Sequence, residues 1–368
     1  MDVSKIIALY LPQFHTIPEN DEWWGKGFTE WTNVKKAKPV FENHFQPRIP
    51  LNDDYYDLDN PDVLPNQMEL APKYGIDGFC FYHYWFSGKK LLEKPLEALL
   101  ERSKIPLPFM LCWANEPWTR RWDGCKGAKH ILIDQNYGNE REWKKHFEYL
   151  VSFFERDEYI KLNEKPVIVI YDEEDIYDGR EMIDFWNECA IKFGFNKGLH
   201  VYRMNRQKPQ KNFKFYGDGV IDFEPFATLA TINPYEKHKC ERKKYVDENR
   251  DRIIDDGRVL DYGTFCSQMV SRYTFSDVNH CLGMFPGWDN SPRVGENFKV
   301  IFEGNNPGEF EKFFRIQFRR SIEKHNPFIF INAWNEWGEG AFLQPDERYK
   351  YGYLEAIKKV KMENGLSE

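Results

Sequence analysis

Two glutamates three residues apart, Glu336 and Glu339, lie in the run Ile331-Asn332-Ala333-Trp334-Asn335-Glu336-Trp337-Gly338-Glu339-Gly340. On a flat strand, positions i and i+3 point to opposite faces. Gly338 and Gly340 free the backbone to turn, and a turn can bring both side chains into one cavity. Converging carboxylates beside the indoles of Trp334 and Trp337 suit acid–base work at a glycosidic bond. The plain alternative is an ordinary polar turn.

Similar mixtures of carboxylates, amides and rings recur along the chain. They are Tyr10 with Gln13, Glu30 with Trp31, His83-Tyr84-Trp85, Asn115 and Glu116 with Trp118, Trp288-Asp289-Asn290, and Trp334-Asn335 with Trp337. Aromatic faces stack on the apolar faces of sugar rings, and polar side chains bond the hydroxyl rims, so these residues are expected to bind a carbohydrate substrate. A single Trp is usually core, and a lone His such as His83 is as readily hydrogen-bonded structure. The recurrence carries the argument. Nine histidines show no H-E-x-x-H or H-x-H spacing, so neither a catalytic metal nor a cofactor is expected. The acidic run Asp172-Glu173-Glu174-Asp175 reads as a solvated loop or helix N-terminus.

The elements that must position these groups alternate. Strands are expected at Ile6–Phe14, Gly78–Trp85, Phe109–Ala114, Pro166–Tyr171, His200–Met204, Val220–Phe223, Cys281–Phe285 and Phe328–Ala333. Helical patterns fall at Pro61–Tyr74, Leu91–Ser103, Glu140–Arg156, Arg180–Phe193, Tyr262–Tyr273, Pro307–Lys324 and Tyr353–Met362. A β-then-α rhythm implies a parallel sheet, because parallel strands need crossovers. Eight such strands predict one α/β domain over residues 1–368, a (β/α)8 TIM barrel with elaborated βα loops. The alternative, a doubly wound sheet, lacks a G-x-G-x-x-G after any strand. In a barrel the residues that end the strands share one rim, which is where the aromatic clusters fall.

Bulk properties narrow the partners. A net charge of −8 argues against nucleic acid. An aromatic fraction of 17% exceeds what a core requires. Seven widely spaced cysteines without a C-x-x-C favour free thiols, and no apolar h-region or ~20-residue apolar run occurs, so a cytoplasmic protein without an integral membrane segment is expected, peripheral contact remaining open. Nothing in the sequence speaks to oligomeric state. The basic segment Lys237 to Lys244 reads as a solvated face or as a site for an anionic ligand such as a diphosphate-bearing acceptor.

Tyr10-Leu11-Pro12-Gln13-Phe14-His15, Gly27-Phe28-Thr29-Glu30-Trp31, Phe81-Tyr82-His83-Tyr84-Trp85, Trp113-Ala114-Asn115-Glu116 and Trp334 to Gly340 together resemble the WbsX-like proteins, which are associated with bacterial surface-polysaccharide (O-antigen) synthesis and often labelled glycosyltransferases. More distantly, the chain is similar to glycoside hydrolase family 99, endo-acting α-mannosidases with a (β/α)8 fold. That family carries Glu-Trp-His-Glu-Gly where this chain has Glu336-Trp337-Gly338-Glu339-Gly340, so Gly338 replaces its His. The resemblance implies retaining catalysis without a covalent glycosyl-enzyme: Glu336 as base on the sugar 2-hydroxyl, and Glu339 as general acid/base. A rival assignment takes Asn115-Glu116-Pro117 as an acid/base motif, with Glu336 as nucleophile across about 5 Å. Glycoside hydrolysis, glycosyl transfer and non-catalytic glycan binding are the three functions these residues support.

Overall fold

In a computed structural model, which describes residues 4–120, 130–206, 216–232, 252–254, 257–272 and 279–365, eight parallel strands close into a barrel. They are β1 (Lys5–Tyr10), β2 (Gly78–Phe86), β3 (Phe109–Trp113), β4 (Lys165–Ile170), β5 (His200–Asn205), β6 (Gly219–Asp222), β7 (Asn279–Met284) and β8 (Phe328–Ile331). Each pairs with its sequence neighbours, and β1 pairs with both β2 and β8: Ile7 opposes Gly78 and Ala8 opposes Ile331. All eight expected strands are present. β2, β3 and β8 are buried along their whole length, as strands walled by side chains on one face and helices on the other must be.

The strand ends are trimmed where the backbone finds other partners. The first strand stops at Tyr10, before Pro12, which has no N–H for a ladder, and the Leu11 N–H turns to the side chain of Asn335. The eighth stops at Ile331, after which Trp334 N–H donates to Leu9 O at 2.8 Å and draws the outgoing chain across β1.

The outer helices follow the expected amphipathic stripes. In the helix Pro307–Glu323, Phe310, Phe313, Phe314 and Phe318 are buried, and the Asn306 side chain caps its first turn by accepting from Gly308 and Glu309 N–H. Glu140–Phe154 buries Trp143, His146, Phe147, Leu150 and Phe154. The loops carry elements that periodicity does not announce: the short helices Glu30–Lys36 and Ser291–Val294, and a three-stranded sheet of Arg252–Ile254, Gly257–Asp261 and Val300–Glu303. Among the described residues, no helix is long and apolar enough to cross a membrane. The basic segment 237–244 lies outside the described residues.

Candidate active site

The chain leaving β8 forms a short antiparallel pair, Asn335–Glu336 with Ala341–Phe342, closed by a single 3₁₀ turn at Trp337–Glu339. Glu336 precedes this turn and Glu339 ends it, and both side chains reach the same cavity. Gly340 ends the turn at φ +61, and a Cβ there would stand 3.0 Å from the Cβ of Asp289. Both the backbone conformation and the space therefore demand glycine. Asn335 anchors the turn: its Oδ1 accepts from Leu11 N–H at 2.7 Å and its Nδ2 donates to Leu11 O at 2.9 Å. The side chain thus completes the ladder that β1 leaves unfinished.

Glu336 and Glu339 open onto a cavity of about 420 Å³, walled by Tyr82, Tyr84, Trp118, Tyr171 and Phe223, with Glu116 and Asp175 across it. Tyr82 meets Tyr171 edge-on at 6.0 Å, and Tyr171 meets Phe223 at 5.5 Å. Arg293, from the short helix Ser291–Val294, lies among the carboxylates. It donates from Nη2 to Glu336 at 2.9 Å, from Nη1 to Glu339, and from Nε to Glu30 at 2.8 Å. Glu30 is fully buried on the helix Glu30–Lys36, with Gln13 Nε2 3.5 Å from its other oxygen.

Burial raises the Glu336 carboxyl, the neighbouring Glu339 adds to the rise, Arg293 opposes both, and the result is about 8. Glu339 is likewise pushed up to about 7 by burial, against Arg293, with Glu30 and Glu116 adding repulsion. One arginine cannot neutralise three carboxylates, so protons must be held within the group near neutral pH. Glu116 forms a second centre: Arg206 donates to it at 2.7 Å and also to Asp172, with its guanidinium over the Tyr171 ring. The Glu116 side chain is 47% exposed, and its carboxyl is raised by the burial it does have, opposed by Arg206.

Of the residues the sequence singles out, Glu336, Glu339, Glu116, Tyr84 and Trp118 meet at this cavity. Others form a supporting layer behind them. Trp31 and Trp337 pack at 5.4 Å, Trp337 stacks on Phe342 at 3.7 Å, and the Trp334 indole N–H donates to Gln67, which also accepts from the Tyr10 hydroxyl. Gln13, Glu30 and Asn335 tie the turn in place. Asn115 is buried in bonds to Tyr137 and the Asp172 backbone. Asn290 precedes the arginine's helix, its C=O accepting from Arg293 N–H, and Trp288 is buried edge-on against Phe226.

The last three, His83, Trp85 and Asp289, are likewise absent from the cavity lining. His83 and Trp85 sit on the opposite face of β2 from Tyr82 and Tyr84, because successive side chains alternate along a strand. His83 Nε2 lies 2.8 Å from His146 Nε2, and Trp85 stacks on His146 at 4.7 Å. One nitrogen must donate and the other accept, and burial drives His83 down to about 3. Asp289, fully buried, accepts from Gln46 at 2.7 Å and from Arg48 at 3.3 Å, with His44 Nε2 at 2.8 Å. Burial alone would raise its carboxyl, but His44 and Arg48 outweigh that and hold it well below the usual range. Among the described residues, no group of three or more His, Cys, Asp or Glu is placed to hold a metal.

Sequence reasoning missed Arg293. A lone Arg after Ser291-Pro292 carries no local pattern, and its partners lie 43, 46 and 263 positions away. Tyr171 and Phe223 had a signal, each closing an expected strand.

Residues 6–357 match the family model described as Glycosyltransferase WbsX. The WxcX protein of Xanthomonas campestris pv. campestris, in two strains, is 34% identical over 365 residues, covering 97% of this chain and 49% of that protein. The chain therefore spans about half the length of these curated relatives. Among solved structures, a glycoside hydrolase-like protein aligns with a TM-score of 0.62 at 14% identity, covering 98% of this chain and 94% of the other. The GH99 endo-alpha-mannosidase from Bacteroides thetaiotaomicron aligns with a TM-score of 0.55 at 12% identity, over 97% and 96%. At these identities the likeness is one of fold.

Proposed function

The chain belongs to the WbsX glycosyltransferase family, and on that premise we propose that Glu336 and Glu339 catalyse retaining chemistry at a glycosidic bond of an α-linked, mannose-like glycan. The observation that carries this reading is the turn itself: two carboxylates sharing one arginine and lining one aromatic-walled cavity.

In the first step Glu336 takes the proton of the sugar 2-hydroxyl. The freed oxygen bonds to the anomeric carbon, whose bond to the leaving oxygen breaks as Glu339 supplies that oxygen with a proton. In the second step Glu339 takes a proton from the incoming acceptor. The acceptor oxygen bonds to the anomeric carbon, the anhydro bond opens, and Glu336 returns its proton to the 2-hydroxyl. Two inversions give net retention. Both carboxyls are raised, Glu336 the more, so the pair holds a proton near neutral pH, and the reaction draws on the form in which Glu339 carries it.

With water as acceptor the reaction is hydrolysis. With a sugar hydroxyl it is transfer, and the family's name and a cytoplasmic address would suit that second reading, in the assembly of a surface polysaccharide. Glu336→Gln and Glu339→Gln are each expected to lower turnover by about 10²–10⁴-fold with folding retained. Near-normal turnover in both would overturn the mechanism. Glu116→Gln separates the rival acid/base: it is expected to cost far less than Glu339→Gln. New reducing ends mark hydrolysis, release of free nucleotide diphosphate from a sugar donor marks transfer, and a bound but unaltered glycan marks a non-catalytic binder.

A further inference from the structure

The guanidinium of Arg293 gives each of its three nitrogens to a different carboxylate: Nη2 to Glu336, Nη1 to Glu339 and Nε to Glu30. A planar fork can do this from one fixed position, whereas a lysine ammonium is a point charge on a flexible stem. The two outer nitrogens face the two residues proposed to exchange protons with substrate.

The charge balance of that reaction, on which the inference rests, has a simple form. Before the first step Glu336 is ionised and Glu339 is protonated. After it Glu336 is protonated and Glu339 is ionised. The net charge of the pair does not change; its location does. The surrounding wall is largely aromatic, with Tyr82 and Tyr84 from β2, Tyr171 after β4 and Phe223, and Arg293 is the cation bound to both glutamates. The other charged groups that act on the pair, Glu30 and Glu116, are themselves acidic.

We propose that Arg293 is the fixed counter-ion across which one negative charge passes from Glu336 to Glu339 and back, and that Glu30 is the positioning residue that holds the guanidinium midway between them. Glu30 suits this role because it binds the Nε edge, away from both reacting carboxylates, and is fully buried. Its place is kept open by Gly338, where any Cβ would collide with it. Burial raises both carboxyls, the neighbouring carboxylates add to the rise, and Arg293 opposes it in each.

The test titrates the pair without substrate. Protein labelled with [13C]glutamate is followed by NMR at the carboxyl carbons between pH 4 and 10, with Glu336→Gln and Glu339→Gln assigning the two resonances. Arg293→Met is expected to raise both midpoints, by about one to three pH units. Arg293→Lys, which keeps the charge and loses the fork, is expected to split the midpoints further apart, and it serves if the methionine variant does not fold. Glu30→Ala releases the guanidinium to favour one partner, so one midpoint falls and the other rises. If Glu30 were only a nearby charge, both midpoints would fall together, and the positioning role would be overturned. Midpoints unmoved in both arginine variants would overturn the counter-ion while leaving the two-carboxylate reaction intact. Full glycan turnover in Glu336→Gln and Glu339→Gln would instead overturn the reaction, and the passage of charge with it.

Discussion

Gly338 and Glu30 meet without space between them: a Cβ added to Gly338 would stand 1.7 Å from Oε1 of Glu30 and 3.0 Å from Nε of Arg293. Gly338 has no left-handed φ, so the demand for glycine is one of volume and not of backbone. Gly338→Ala is expected to push Glu30 off the arginine and to lower stability by about 1–3 kcal/mol, the usual cost of overpacking. Its turnover should fall more than that of Gly179→Ala, where φ is not left-handed and an added Cβ would meet nothing nearer than 3.5 Å. Urea denaturation and a glycan assay on the two variants check this. A fully active, fully stable Gly338→Ala would show that the Glu30–Arg293 contact is dispensable.

The raised carboxyls make stability pH-dependent. Glu336 and Glu339 move from an ordinary 4.5 to about 8 and about 7, so the folded chain binds their protons more tightly than the unfolded chain does. Stability from this source is complete below about pH 4.5 and is lost as pH rises through 7 and 8. Glutamine mimics the protonated acid. Glu336→Gln should therefore match the wild type near pH 4.5 and exceed it above pH 8 by a few kcal/mol, since a tenfold change in proton affinity is worth about 1.4 kcal/mol. Denaturation midpoints at pH 5 and 8.5 decide the matter, and a variant no more stable at the higher pH would contradict it.

Asp289 titrates in the opposite sense. Held below the usual range by His44 and Arg48, it contributes stability that is present above about pH 3.8 and lost as pH falls through its folded value. Asp289→Asn strands buried partners and is expected to cost about 3–5 kcal/mol at pH 7. That penalty should begin to shrink below about pH 3.8, where the unfolded chain takes up a proton that the folded carboxyl still resists. Parallel unfolding curves at pH 7 and pH 3 test the convergence.

The Asn335 amide replaces two ladder bonds of β1. Asn335→Ala would leave the buried N–H and C=O of Leu11 unpaired, at about 1–3 kcal/mol for each group. Asn335→Asp keeps the acceptor for Leu11 N–H but sets an oxygen against Leu11 O, so it should restore the first bond and not the second. Hydrogen exchange at the Leu11 amide is the direct readout: faster in Asn335→Ala, and close to wild type in Asn335→Asp.

The barrel was legible because each strand is a short apolar run bounded by polar rim residues, and the buried wall tolerates little else. The faces of those strands were less legible. β2 is apolar or aromatic on both sides, so nothing in its pattern says that Tyr84 opens to the cavity while His83 and Trp85 turn to the helix Glu140–Phe154. Asn335 reads as a ligand-binding amide, yet its hydrogen-bonding capacity is spent on protein groups, Leu11 and Tyr56. The Glu336/Glu339 pair was visible because its chemistry and its turn are local. Arg293 was invisible because an ion pair across 263 positions leaves no spacing to read.

The pairing of β1 with β8 has a consequence for synthesis. Glu30 and Leu11 leave the ribosome early, while Arg293, Asn335 and the two reacting glutamates follow hundreds of residues later. A chain emerging N-terminus first can fold seven strands and still possess no catalytic centre. The proposed centre is thus complete only once the eighth strand seats against the first.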